Sequence, residues 1–316
     1  MTYSSGGLIQ ATDYNGFVST TVAANVNATW NSTYGQTALA TVSTGGTVSA
    51  TQWASLVNTL TSMGAHQPTT LTSRTAPTTG TTISILANVN TDLTNCYTNR
   101  YNAYAQGTQY TAWTGTNSKT TATSGATWTI TFTNTVTWAN ATAATNFFNS
   151  GGTVKIDVSK TSTGGLGDPE WNDLASTLCG DIYISGLATS HTIAGVAYTG
   201  TTKIGGTGTP TTLATATGWD ALVAGAAATI VYKQFADTAP YTSNYIQHSI
   251  AKDATSAILT ITTVWSASDG DAITGGTAPS GATPGTAPCT IVTYYPPETT
   301  YLTNTWGTPT VAATTT

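Results

Sequence analysis

Apolar residues recur every three or four positions in the first third of this chain and every second position in much of the rest. Tyr14, Phe17, Val18, Val22, Val26 and Trp30 keep helical spacing. They follow Thr12 and Asp13, whose side-chain oxygens can take an orphan N–H of a first turn, so a helix is predicted over 12–30. Trp53, Leu56, Val57, Leu60 and Met63 form the stripe of a second helix over 50–64, capped by Ser49 or Thr51 and stopped by Gly64. Ile85, Leu86, Val89, Leu93, Cys96, Tyr97, Tyr101 and Tyr104 place a third over 82–105. Its many Asn and Thr residues lower intrinsic helicity, so packing must hold it. Residues 67–80, rich in Pro, Thr and Gly, read as a loop.

Beyond about residue 108 the period changes to two. Trp128, Ile130 and Phe132 alternate with Thr129, Thr131 and Thr133, and Val136 and Trp138 continue in phase. Val154, Ile156 and Val158 alternate with Lys155 and Asp157. Residues 182–184, 257–265 and 290–295 read as further strands, and a helix is inserted near 168–180. The stretch 267–288 is a long loop or arm, and the Pro- and Thr-rich tail after Tyr294 is extended, free to lie on a neighbouring subunit. The predicted fold class is α+β: N-terminal helical segments, then a mainly antiparallel β-rich body with extended loops and tail. The predicted divisions are 1–107 for docking or oligomerisation, 108–266 for the body, and 267–316 for loop, strand and tail.

Charge changes this picture. Only 7% of the residues are Asp, Glu, Lys or Arg, against about 25% in an average soluble domain. Catalysis needs titratable groups with tuned pKa values, and this chain has 8 basic residues, 13 acidic residues and 3 His. The basic residues are scattered, so no stripe exists to bind nucleic acid by counterion release. No apolar run approaches the ~18 residues of a membrane helix. The N-terminus lacks the basic and apolar regions of a signal peptide, so synthesis in the cytoplasm is expected. Such a composition points to packing and contact rather than chemistry.

The individual motifs agree. Asp168, Glu170 and Asp173 around Trp171 could form a carboxylate pair for glycoside hydrolysis. They fit better as the acidic N-terminus of a helix, with Asp168 capping and Pro169 at the first position. Asp269-Gly270-Asp271 lacks the spacing and closing Glu of a calcium loop. His66, His191 and His248 have no ligand partners at metal spacing. Cys96, Cys179 and Cys289 are too few and too dispersed for a disulfide framework and read as buried thiols. Asn27, Asn31 and Asn140 begin Asn-X-Thr triplets that composition alone would supply. No catalytic residue, cofactor or metal is expected.

Two blocks of sequence carry a resemblance. One is Leu8-Ile9-Gln10-Ala11-Thr12-Asp13-Tyr14-Asn15, Tyr34-Gly35-Gln36, Val48-Ser49-Ala50-Thr51-Gln52-Trp53-Ala54-Ser55-Leu56 and His66-Gln67. The other is Phe147-Phe148-Asn149-Ser150-Gly151-Gly152-Thr153-Val154-Lys155-Ile156 with Glu170-Trp171-Asn172-Asp173-Leu174. Together they resemble a family of virion structural proteins of marine tailed phages, cyanophages above all. Ser150 stands where that family more often has Ala. The blocks cover about half the chain; residues 190–316 carry no matching motif. The resemblance implies a tail, baseplate or fibre component of the virion, non-enzymatic, contacting itself and other virion proteins. Trp30, Trp53 and Trp171 are the candidate contact anchors, because buried rings dominate interface energetics; each fits an intrachain core equally, and core is the favoured reading for Trp53 and Trp171. A host-glycan-binding or glycan-cleaving protein, a capsid decoration protein and a self-assembling surface filament are the alternatives.

Overall fold

The structure is a computed structural model that describes residues 10–19, 24–80, 88–109, 117–118, 127–160, 168–267 and 288–315. It is α+β. Helices α1 (Ala11–Val18), α2 (Val26–Trp30), α3 (Ala50–His66) and α4 (Val89–Thr98) precede a body of antiparallel strands. The helix expected over 12–30 is thus two short helices. The first starts one residue before Thr12: Asp13 is its third residue, and its carboxylate accepts the Gln10 N–H at 3.0 Å. Ser49 caps α3 as expected, exchanging hydrogen bonds with Gln52. The third helix ends at Thr98, so Tyr101 and Tyr104 lie in the turn region beyond it. Residues 82–87, which should have opened it, fall outside the described residues.

The alternating segments form two sheets. The strands are β1 (Asn117–Ser118), β2 (Trp128–Thr137), β3 (Thr153–Lys160), β4 (Asp181–Ile184), β5 (His191–Ile193), β6 (Val196–Tyr198) and β7 (Thr201–Ile204). They continue as β8 (Thr212–Leu213), β9 (Thr229–Phe235), β10 (Tyr245–Lys252), β11 (Ile258–Ala267), β12 (Pro288–Tyr295) and β13 (Thr310–Thr315). One sheet runs β1-β12-β3-β4-β7 and the other β13-β2-β11-β10-β9-β8, while β5 and β6 make a separate hairpin. Edge strands meet on both sides: β1 lies beside β13 and β7 beside β8. The extended tail, free on sequence grounds to lie on a neighbouring subunit, supplies β13, which pairs with β2 from Thr310 opposite Thr137 to Thr315 opposite Phe132.

Period two now has its cause. Ile130, Phe132 and Val136 of β2, Leu259, Ile261 and Trp265 of β11, and Ile246 and Ile250 of β10 point inward against Ile156, Val292 and Ile182. The Trp265 indole N–H reaches across to the Thr290 hydroxyl at 3.3 Å. Helix α5 (Ala141–Asn149), which no apolar repeat announces, carries Phe147 and Phe148 into a ring cluster with Trp138 and Trp219. Helix α6 (Asp168–Asp173) unwinds into a π-helical turn, Leu174–Cys179, that touches β3 of one sheet and β9 and β10 of the other. Side chains of all four N-terminal helices join the same apolar core as the two sheets.

Amide side chains join the N-terminal loops to this frame. Asn15 exchanges two hydrogen bonds with the backbone of Val42. Asn27 donates to the carbonyls of Val18 and Leu39, both at 2.8 Å, and accepts the Leu39 N–H at 2.9 Å. Gln36 does the same with Thr303, across 267 residues. An amide carries a donor and an acceptor side by side, so it pairs with a peptide as a neighbouring strand would.

Candidate contact surface

The segment that follows the short turn of helix Trp219–Ala221 is the most apolar exposed stretch of the described surface. Leu222 turns inward, and every residue from Val223 to Ile230 is exposed. Val223 is 70% exposed and Ile230 45%. Between them stand Ala224, Gly225, Ala226, Ala227, Ala228 and Thr229, with no charge. The loop is tied in place: Gly225 N–H donates to the Lys252 carbonyl at 2.9 Å, and Ala226 N–H to the Val223 carbonyl at 3.2 Å. Gly225 holds φ at +71°, a value that a side chain resists.

This loop runs into a half-open sheet edge. Strand β8 pairs with β9 only at Tyr232 and Lys233, and Ala214 N–H adds a bond to the Val231 carbonyl. Thr229 and Ile230 therefore sit past the end of their outer neighbour. An exposed strand end beside an apolar loop is a template for another chain. At its border the Lys252 ammonium lies over the Trp219 ring at 4.4 Å. Burial raises the Asp220 carboxyl above its ordinary value, and the nearby Lys252 offsets part of that.

The three candidate anchors lie elsewhere. Trp53 is fully buried, edge-on to Tyr14 at 5.4 Å and Phe17 at 5.9 Å. Trp171 is buried too, stacked on Trp265 at 5.7 Å. Neither can meet a second chain without unfolding this one, because their rings close gaps between helix and helix or helix and sheet. Trp30 is partly buried against the core. The acidic trio spans α6 from its first residue to its last: Glu170 and Asp173 are half-buried, and the side chain of Asp168 lies outside the described residues, as does Asp269-Gly270-Asp271.

The histidines are interior. His66 ends α3 and faces the Tyr34 ring at 5.1 Å, and burial lowers its pKa to about 4. His248 stacks on Tyr232 and bonds the Thr263 hydroxyl at 2.9 Å, with its pKa lowered by burial to about 3. All three thiols are free and buried, and burial pushes Cys96 and Cys179 up to about 12. They are poor nucleophiles. No group of three or more metal-ligating side chains occurs among the described residues. No helix of the described residues is long and apolar enough to cross a membrane. Of the three Asn-X-Thr asparagines, Asn27 is buried and Asn140 caps α5.

One constellation escaped the sequence reading. Lys155 lies between Asp157, at 3.5 Å, and Asp181, at 3.4 Å, on the outer face of the first sheet. Tyr183 stands opposite Lys155, flanked by Tyr198 and Tyr295. The alternation in β3 already put Lys155 and Asp157 on one face; Asp181 comes from β4, 26 residues beyond Lys155, which no spacing announces. Burial alone would lower the Lys155 pKa, but Asp157 and Asp181 outweigh it and hold the amine above its ordinary value. Burial raises Asp157 despite the lysine. A lysine held charged in this way ties two strands together and offers no free base.

Comparison with protein-family models, with curated proteins and with solved structures finds no match.

Proposed function

We propose that this chain is a non-enzymatic structural subunit of a tailed-phage virion, in the tail, baseplate or fibre. It works through contacts with copies of itself and with neighbouring virion proteins. The observation that carries the contact reading is the exposed, uncharged run from Val223 to Ile230, set against a chain with only 7% charged residues. A charged patch would repel its own copy; a neutral apolar one is self-complementary. Burying such a surface gains roughly 25 cal/mol per Å² of apolar area. The virion reading is supported by the resemblance of the Trp53 and Phe147–Ile156 blocks. A place on the capsid exterior is the competing location, and labelling the subunit on purified particles separates the two.

Light scattering on the purified chain tests the contact. The wild type is expected to form a defined oligomer. Val223→Asp with Ile230→Lys is expected to leave a monomer whose melting changes by no more than about 0.5 kcal/mol, as befits exposed positions. A wild-type monomer at high concentration would remove the basis of the proposal.

A further inference from the structure

A polar cleft of about 460 Å³ opens between the turn after α4 and the connection from β4 to β5. Thr98, Asn99, Arg100, Tyr101 and Asn102 form one wall; Leu187, Thr189, Ser190 and His191 form the other. The walls are fixed to each other. Ala103 N–H donates to the Thr192 carbonyl at 3.0 Å, Ala194 N–H to the Ala103 carbonyl at 2.9 Å, and Thr192 N–H to the Asn102 side-chain oxygen at 2.8 Å. Preformed clefts of a few hundred Å³ are the usual shape of small-ligand sites.

Arg100 is the only charged residue of the lining. Its guanidinium rides 4.0 Å from the Tyr97 ring centre and 4.6 Å from that of Tyr101. One N–H donates to the Tyr97 carbonyl. No carboxylate lies within ion-pair distance of it among the described residues. Arg74 and Lys155, by contrast, are both engaged with aspartates. A planar fork steadied by two rings, with most of its donors free among the described residues, matches a carboxylate.

His191 supplies the complementary function. Its Nδ1 lies 2.9 Å from the Thr189 carbonyl, which can only accept, so Nδ1 carries the proton. Burial lowers its pKa, so the ring is neutral and Nε2 is an acceptor. The remaining walls are hydroxyls and amides, with Leu187 and the Tyr101 ring as apolar surface.

We infer that this cleft is a binding site for an acidic sugar, a uronic-acid-type residue. Its carboxylate would pair with Arg100, and its hydroxyls would meet His191, the amides and the Ser and Thr hydroxyls. A peptide acid would leave most of that polar lining unmatched. The inference stands apart from the proposed assembly role, since the cleft and the Val223–Ile230 run share no residue.

Ligand-observed NMR and calorimetry on the full chain test it, with glucuronate and galacturonate as probes and glucose, galactose and acetate as controls. The uronates are expected to saturate the chain, with each control at least about tenfold weaker. Arg100→Gln is expected to weaken uronate binding about tenfold or more. Ser190→Trp, at an exposed wall position, is expected to block it with melting and oligomeric state unchanged. Lack of saturation by either uronate, binding untouched by Arg100→Gln, or acetate or glucose binding as well as a uronate would each overturn the assignment.

Discussion

Asn27 shows what the unusual composition does at the scale of one residue. Its buried amide makes three hydrogen bonds to the backbone of Val18 and Leu39. Asn27→Ala leaves two carbonyls and one N–H without that partner, and the expected cost is about 2–4 kcal/mol in urea unfolding. His248 governs a different property. An unfolded histidine takes up a proton near pH 6.5, whereas the native ring holds off until about 3. Between those values the unfolded chain binds more protons, so stability falls as pH falls from about 6.5 towards 3. His66 acts in the same sense down to about 4. Each contributes a slope of at most about 1.4 kcal/mol per pH unit. His248→Phe is expected to flatten the melting temperature measured against pH over that window; an unchanged slope would assign the acid sensitivity elsewhere. Asp253 adds a further loss at the acid end, below about pH 4. Slight burial would raise it, but the Thr255 hydroxyl and the backbone N–H groups of Ile258, Thr255 and Ala257 hold it at about 2. Its stabilisation is present above the ordinary carboxylate pKa and disappears as pH falls through 2.

Among the elements, α3 is the most instructive. Its stripe of Trp53, Leu56, Val57, Leu60 and Met63 is buried throughout, and Ser49 caps it. Yet the helix passes through Gly64, which reads as a stop, and ends two residues later at His66. The reason lies outside the helix. A Cβ at Gly64 would stand 2.4 Å from Leu71 Cδ1 and 3.1 Å from the Thr69 carbonyl oxygen. Gly64 is present so that the following loop can fold back over α3. Alanine usually improves a helix interior by up to about 1 kcal/mol. Here Gly64→Ala is expected to destabilise by about 1–2 kcal/mol, read from the urea midpoint. Gly35 plays a similar part between α2 and α5: at φ +68°, its missing Cβ leaves room for the Asn146 amide. Neither contact is written in the local periodicity.

At the scale of the molecule, the helices and both sheets share one apolar core. The boundary drawn near residue 107 marks a change in period, and the packing runs across it. Gln36 pairs with Thr303, and the Thr305 hydroxyl donates to the Tyr34 carbonyl. The Tyr34 hydroxyl in turn donates to the Arg100 carbonyl at 2.6 Å. A single cooperative unfolding transition is therefore expected by calorimetry, with equal calorimetric and van't Hoff enthalpies. A separate early transition for residues 1–107 would show the helices to be an independent unit.

The order of hydrophobic and polar residues was enough to identify the α+β class, the stripe of α3, the inward faces of β2, β3, β11 and β12, and the interior thiols. These follow from which side of a local repeat is apolar, a property of residues close in sequence. It did not reveal that α1 and α2 are separate, that α5 exists, or that the tail closes the second sheet as β13. Nor did it show that Lys155 meets Asp181, or that Arg100 and His191 line one cleft. Each of those depends on chain segments meeting from far apart. An amphipathic pattern says that a face must be covered, and only the packed chain decides by what.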